Sequence, residues 1–319
     1  MSTKKVLMVG AGYMAKEYAK VLKAMDVEMI VVGRGEESAK AFQTETGVEV
    51  ITGGIDIYLE EKKELPEYAI VTVRSKDLET CSIKLLTAGV KNLLIEKPGA
   101  LRKEGIDEIH RISEENNANC YIAYNRRFYS SVQTAKKMIE EDGGVTSFSF
   151  EFTEWPKTVL AAIKDEEERN QIMLNNSSHV MDMAFFLGGH PKEFHAYQSG
   201  SLDWHRYGAV FAGAGVSDKG ALFSYQANYN APGRWGAEIL TSKHRYIFRP
   251  LEKLQIQEMN SVKITEVEID DSIDTEFKPG LFKEVEAFLG PNPSNTDLCT
   301  LDEQCKDFTY YYRIRGEEA

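Results

Sequence analysis

Cysteine is scarce in this chain: Cys81, Cys120, Cys299 and Cys305 are the four examples in 319 residues, and none stands at metal-pair spacing. So sparse a set excludes a disulfide scaffold and fits reduced thiols. Long apolar runs are missing too, since no segment approaches the ~20 residues that cross a bilayer. The opening Met1-Ser-Thr-Lys-Lys leads only into a short apolar run that stops at a glycine turn. Neither a signal peptide nor a membrane span is expected, and the reading is a cytoplasmic protein. Positive charge is in deficit, with 38 Lys+Arg against 50 Asp+Glu and a net charge of −12. That balance argues against nucleic acid and anionic membrane as partners, and leaves room for a local basic pocket that holds an anionic substrate. No internal repeat is apparent, and Lys164-Asp-Glu-Glu-Glu-Arg169 reads as a solvated helix face; no metal is expected.

What is present is organised around Lys5-Val-Leu-Met-Val-Gly10-Ala-Gly12-Tyr13-Met14-Ala15. An apolar run enters Gly10-x-Gly12-x-x-Ala15, and apolar residues then recur at helical spacing to Met25, so the stretch reads as strand, tight turn and helix. Gly10 permits the turn, Gly12 lets backbone approach a pyrophosphate, and Ala15 lets helix and strand pack closely. The helix N-terminus adds unsatisfied N–H groups and the positive end of its dipole. The pattern alone also suits a packing turn or a methyltransferase-type nucleotide site. Its place between a buried strand and an amphipathic helix directs the reading to a dinucleotide, with Gly10, Gly12, Tyr13, Met14 and Ala15 as contacts.

Val27–Val32 reads as the second strand, and its tip decides cofactor preference. An NAD site usually carries an acid about twenty residues past the glycines to hold the ribose 2′-OH. Here Gly33-Arg34-Gly35 stands instead, and Arg34 favours a 2′-phosphate, with Ser38 adding a hydroxyl donor. Glu36 and Glu37 weigh mildly the other way, although acids are also favoured in the first turn of a helix. NADP(H) is therefore the expected cofactor, with NAD(H) the alternative.

Strand and helix patterns alternate to Tyr124, which implies crossovers and a parallel sheet whose ligands bind at the strands' carboxyl ends. Those ends are the glycine turn, Gly33-Arg34, Thr72-Val73-Arg74-Ser75, Glu96-Lys97-Pro98 and Tyr124-Asn-Arg126-Arg127. Gly33, Val73, Arg74, Glu96, Lys97 and Arg126 thus join the cofactor set. A lysine pinned by a following proline at such a mouth suits an ammonium that hydrogen-bonds a reacting hydroxyl or carbonyl, while a surface Glu-Lys pair is the bland alternative.

Together, the N-terminal glycine turn, Glu96-Lys97-Pro98 and Asn125-Arg126-Arg127-Phe128 resemble the Gfo/Idh/MocA oxidoreductase family. The resemblance covers the chain in order. It implies an N-terminal Rossmann domain, here 1–124, and a C-terminal α/β domain, 125–319, whose open antiparallel sheet covers the substrate and often mediates oligomer contacts. It also implies that Lys97 matches the family's active-site lysine.

The second half agrees, with Phe128–Glu141 reading as a helix, Thr146–Glu154 as an alternating strand, and seven further strand patterns from Glu193 to Ile269. Asn175-Asn176-Ser-Ser-His179-Val-Met-Asp182 reads as the start of a helix to Leu187, with Asn175, His179 and Asp182 on one face. His179 suits proton transfer, with Asp182 fixing its tautomer; on the residues alone a buried structural histidine is the alternative. The segment resembles the family's aspartate-x-x-x-histidine motif, and departs from it at Asn175, which puts the usual lysine–aspartate–histidine relay in doubt and leaves Lys97 and His179 as the acid/base pair.

The fold expected is α/β, a Rossmann doubly wound parallel sheet plus a C-terminal α/β domain with an open, mostly antiparallel sheet. The function expected is NAD(P)-dependent hydride transfer at a secondary hydroxyl or ketone of a sugar, cyclitol or activated sugar. Lys97, His179 and Asn175 are the catalytic set; Tyr124, Arg127, Asn176, Arg234 and Trp235 join them at the substrate. An arginine and an aromatic in one pocket suit a polyol bearing an acid or phosphate. Redox-neutral sugar chemistry with a retained cofactor, and a non-catalytic cofactor sensor, are the rival readings. A homodimer or homotetramer is expected, since an exposed sheet is an aggregation liability unless covered.

Overall fold

The computed structural model describes residues 4–61 and 64–317. In chain order the first elements are β1 (Lys5–Val9), α1 (Tyr13–Ala24), β2 (Glu28–Val32), α2 (Glu36–Thr46), β3 (Val50–Ile51), α3 (Gly54–Glu60), β4 (Tyr68–Val71), α4 (Ser75–Ala88), β5 (Asn92–Glu96), α5 (Lys103–Glu115) and β6 (Asn119–Ala123). Lys62 and Lys63, like Met1–Thr3, lie outside the described residues. There follow α6 (Ser130–Glu141), β7 (Ser147–Glu151), α7 (Pro156–Ala162), α8 (Glu166–Asn170), a π-helical turn (Met173–Ser177) and α9 (Ser178–Gly188). The chain closes through β8 (Pro191–Ser199), β9 (Val210–Ser217), β10 (Leu222–Asn228), β11 (Gly236–Leu240), β12 (His244–Phe248), β13 (Gln255–Glu258), β14 (Ile264–Glu266), α10 (Ser272–Glu276), α11 (Leu281–Phe288), β15 (Cys299–Thr300) and α12 (Leu301–Ile314).

The chain forms two compact units, one of Met1–Asn125 with Asp274–Cys305, the other of Arg126–Ile273 with Lys306–Ala319. The expected division into 1–124 and 125–319 therefore needs correction, because Asp274–Cys305 returns to the first unit. Two contacts account for the return. β15 pairs antiparallel with β6, Cys299 opposite Ile122 and Thr300 opposite Tyr121. α11 buries Leu281, Val285 and Phe288 completely, each worth ~1.5–3 kcal/mol of apolar burial. Phe288 meets the rings of Tyr68 and Tyr121 edge-on at 5.7 and 6.3 Å.

The first sheet has the order β15-β6-β5-β4-β1-β2-β3, parallel apart from β15. The chain winds outward from β1 through β2 to β3, then restarts on β1's other side at β4, so β1 and β4 flank the switch point where a doubly wound sheet opens a crevice. Tyr13–Ala24 is helical because Ala15, Tyr18, Ala19 and Leu22 recur at helical spacing, and this stripe is buried. At the switch point Gly10 has φ +127°, and an added Cβ would lie 2.4 Å from Thr72 Oγ1 and 2.8 Å from Thr72 backbone atoms. Only glycine fits this close approach.

The second sheet has the order β14-β13-β12-β11-β7-β10-β9-β8. Its pairs are antiparallel except β7 with β10, which run parallel. Phe148 and Phe150 point to one face and stack on Phe223 and Tyr225 at 5.3 and 5.5 Å, and Phe185 of α9 meets Phe150 edge-on at 5.4 Å. All of α9 except Phe186 is buried, as suits a helix apolar all round. Two expectations shift locally: β7 ends at Glu151, three residues early, and the helix expected to begin at Asn175 opens with the π-helical turn Met173–Ser177.

Replacing Gly10 with Ala should destabilise the protein by more than about 2 kcal/mol, the sum of a forced positive φ and a backbone clash. Urea unfolding followed by circular dichroism checks this, and an unaltered midpoint would contradict the close-approach argument.

Candidate active site

In the first unit, the turn after β1 exposes the start of α1. The first α1 bond to this turn runs from Lys16 N–H to Gly12 O at 3.2 Å, downstream of the N–H groups of Tyr13, Met14 and Ala15. Among the described residues no side chain caps the helix, and its first turn contains no acid. An added Cβ at Gly12 meets nothing within 4 Å. This open, positively polarised cradle suits a diphosphate, so the residues present fit a dinucleotide. At the tip of β2, Gly33 donates its N–H to Ile51 O at 2.9 Å. Arg34 is exposed and reaches Asp77 Oδ2 at 3.4 Å; Arg74 reaches the same oxygen at 3.6 Å, so one carboxylate serves two guanidiniums. Ser38 donates its hydroxyl to Gly35 O at 3.0 Å, and Val73 is half-buried.

Two expected site residues of this unit have other duties. Glu96, expected at the cofactor, is 8% exposed and lies 3.2 Å from the Tyr18 hydroxyl, which also approaches Glu284 at 3.4 Å. Burial, with the two carboxylates beside it, pushes the Tyr18 phenol well up, so it stays a donor that pins them. Tyr124, expected at the substrate, is 1% exposed, and its hydroxyl accepts from Gln304 Nε2 at 3.2 Å. The same Gln304 nitrogen donates to Pro98 O at 2.8 Å, which fixes the turn that follows half-buried Lys97.

In the second unit, α9 and the π-helical turn present His179, Asn175 and Asn176. Residues in π-helical turns often mark functional sites, because the widened turn re-aims side chains. His179 is buried and its Nε2 lies 2.9 Å from Arg126 Nη1. A guanidinium only donates, so Nε2 accepts and the ring is the neutral tautomer with its proton on Nδ1. Arg126, expected at the cofactor, thus sits at His179, with its guanidinium 5.8 Å from the ring of Trp235. Asn175 donates Nδ2 to Glu168 O at 3.3 Å. Arg127, expected at the substrate, is 2% exposed and donates through Nε and Nη2 to Asp182, at 3.0 and 2.6 Å. The fully buried Asp182 carboxylate, expected to set the His179 tautomer, is taken up by that paired fork. Arg127 and Asp182 thus form a buried ion pair.

The residue that sequence reasoning missed is Glu154, 2% exposed. Its Oε1 accepts from Ser177 Oγ at 2.7 Å and Trp235 Nε1 at 3.2 Å, and its Oε2 accepts from Arg234 Nη1 at 3.3 Å. Asn176 Nδ2 bridges both oxygens at 3.2 and 3.0 Å. Burial raises its pKa against the pull of these donors. A signal was available, since Glu154 shares the parity of inward-facing Phe148, Phe150 and Phe152 and so continues the buried face. Trp235 lies 6.2 Å from His179, ring to ring, which ties this cluster to the histidine. Burial pushes the thiols of Cys81 and Cys120 up to about 11 and about 12, values that keep both protonated.

Residues 4–124 match the model of the oxidoreductase family with an NAD-binding Rossmann fold, Gfo/Idh/MocA. A curated relative, the 2,7-anhydro-N-acetylneuraminate hydratase of Mediterraneibacter gnavus, is 26% identical over 197 residues, 60% of this chain and 52% of the relative. The match thus spans about half of the relative's length. Among solved structures, UDP-N-acetylglucosamine 3-dehydrogenase from Acidithiobacillus ferrooxidans has a TM-score of 0.77 at 15% identity, covering 100% of this chain and 98% of that one. Levoglucosan dehydrogenase in complex with NADH and L-sorbose scores 0.76 at 18% identity, covering 98% and 96%. At such identities the likeness is one of fold.

Glu154→Gln would turn an amide N–H₂ toward a set of donors and orphan at least one, so it should cost ~1–3 kcal/mol of stability. Chemical unfolding checks this; a midpoint equal to that of the parent would mean the carboxylate does not organise the cluster.

Proposed function

We propose, from the match of residues 4–124 to the Gfo/Idh/MocA oxidoreductase family, that the protein is a nicotinamide-dependent sugar or polyol dehydrogenase acting at a secondary hydroxyl or its ketone. The observation that carries the reading is the uncapped N-terminus of α1, open at Gly12 and set at the sheet's switch point. NADP(H) is the preferred cofactor, because Gly33-Arg34-Gly35 offers a guanidinium where a ribose-binding acid would otherwise stand, and Arg74 adds a second. A bound nicotinamide would supply the hydride donor or acceptor. Lys97 hydrogen-bonds the reacting oxygen and steadies its developing negative charge. His179 takes or returns the hydroxyl proton at Nε2 once the substrate hydroxyl has replaced the Arg126 guanidinium there. Asn175 and Asn176 orient the substrate, an amide in the first position holding a hydroxyl without sharing its proton. A homodimer or homotetramer in the cytoplasm completes the reading, the exposed edge of the second sheet being the surface in need of cover.

A second reading has its own support, since the curated relative is named a hydratase and hydration involves no net oxidation. On that reading the nucleotide stays bound and nicotinamide absorbance returns to its starting value in each turnover.

Fluorescence titration should show NADPH bound more tightly than NADH, with Arg34→Ala costing NADPH alone about 10–100-fold, the loss of a charge-assisted contact. Equal affinities for the two nucleotides would remove the Arg34 argument. Lys97→Ala should lower turnover by ~10²–10⁴-fold while nucleotide affinity stays within a few-fold; unaltered turnover would take Lys97 out of the mechanism. Turnover of sugar with no net absorbance change would favour the redox-neutral reading.

A further inference from the structure

Arg234 is built differently from Arg127. Its guanidinium lies against two indoles, 4.8 Å from the Trp155 ring and 4.3 Å from the Trp235 ring. Both indoles are tethered, Trp155 Nε1 donating to Gly233 O at 2.7 Å and Trp235 Nε1 to Glu154 Oε1 at 3.2 Å. Nη1 of Arg234 is engaged by Glu154 Oε2 at 3.3 Å, and the arginine side chain is 41% exposed. Among the described residues nothing pairs with the Nε–Nη2 edge, two parallel N–H groups, of this partly exposed side chain. In Arg127 the corresponding edge is closed by Asp182 and the side chain is buried. Trp235 lies within reach of two guanidiniums, Arg234 at 4.3 Å and Arg126 at 5.8 Å from its ring.

We infer that the substrate is a sugar acid whose carboxylate is received side-on by the Nε–Nη2 edge of Arg234, held against Trp155 and Trp235. The inference rests on the sugar-dehydrogenase reading and narrows its substrate class. A planar, rigid fork matches a planar carboxylate with two parallel hydrogen bonds; it can pair with a phosphate in the same way, so the test sets a sugar phosphate beside each uronate. Packing against two indoles removes most of the rotamer freedom that binding would otherwise cost. Glu154 is the positioning residue, since its buried carboxylate takes Nη1 and so fixes which edge of the guanidinium is left for a ligand.

The test uses the full chain saturated with NADPH or NADP⁺ and matched probes in two series: glucose, glucuronate and glucose 6-phosphate, and the galactose equivalents. Binding is read from tryptophan fluorescence, Trp155 and Trp235 being two of the three tryptophans, and turnover from nicotinamide absorbance. At least one uronate should bind about 10–100-fold more tightly than its neutral parent, and Arg234→Met should bring that ratio to within about twofold. Arg234→Lys, which keeps the charge and loses the fork, should retain only part of the discrimination. A neutral sugar bound as well as its uronate, a sugar phosphate preferred over the uronate, a ratio indifferent to Arg234→Met, or no binding by any uronate would each overturn the inference. Neutral sugars reduced or oxidised without preference would overturn it while leaving the dehydrogenase reading intact. Uronates that bind through Arg234 without hydride exchange would support it and count against that reading.

Discussion

The close approach of Gly10 to Thr72 is the constraint on which the first unit depends. With φ at +127° and no space for a side chain, the chain turns directly from β1 into α1, and the helix start arrives at the one place where the strand order reverses. The cradle follows from this geometry. Gly12, next in line, meets nothing where its Cβ would be, so the N–H groups of the first turn look into open space. The tips of β2 and β4 then place Arg34 and Arg74 on a single shared acid, Asp77, which leaves positive charge at the rim where a nucleotide phosphate would sit.

The second unit depends on a buried carboxylate instead. Glu154 gathers Asn176 and Ser177 from the π-helical turn and Arg234 and Trp235 from the approach to β11, so two segments distant in sequence take their positions from one group. Burying a carboxylate is costly unless donors surround it, and here they do. The arrangement also separates two kinds of arginine. Arg127 closes on Asp182 in a buried pair, whereas Arg126 and Arg234 both lie against Trp235, Arg126 beside His179 as well.

Much of the first unit could be read from the sequence because its signals are local. Gly10, Gly12 and Ala15 must be small for reasons that hold within a few residues, and alternation of strand and helix patterns implies a parallel sheet without further information. The strands of the second unit were visible for the same reason, as period-2 runs. What stayed hidden depends on distant partners. Tyr124 looked like a mouth residue until Gln304, 180 positions on, was seen to hold its hydroxyl. Arg127 looked free for substrate until Asp182 met it across 55 positions. The return of Asp274–Cys305 to the first unit hangs on a two-residue strand, Cys299–Thr300, too short to show any periodicity. Glu154 is the instructive omission, because parity along the expected strand Thr146–Glu154 already put it in line with Phe148, Phe150 and Phe152.

The most direct test of the account is transfer of label from 4-deuterated NADPH to the carbonyl carbon of a keto-sugar acid, followed by mass spectrometry of the alcohol. The account predicts a product carrying one deuterium on the reduced carbon, lost when Lys97 or His179 is replaced by alanine. Nucleotide that binds while no labelled alcohol forms from any keto-sugar, acidic or neutral, would contradict it and leave the fold without the hydride chemistry assigned to it.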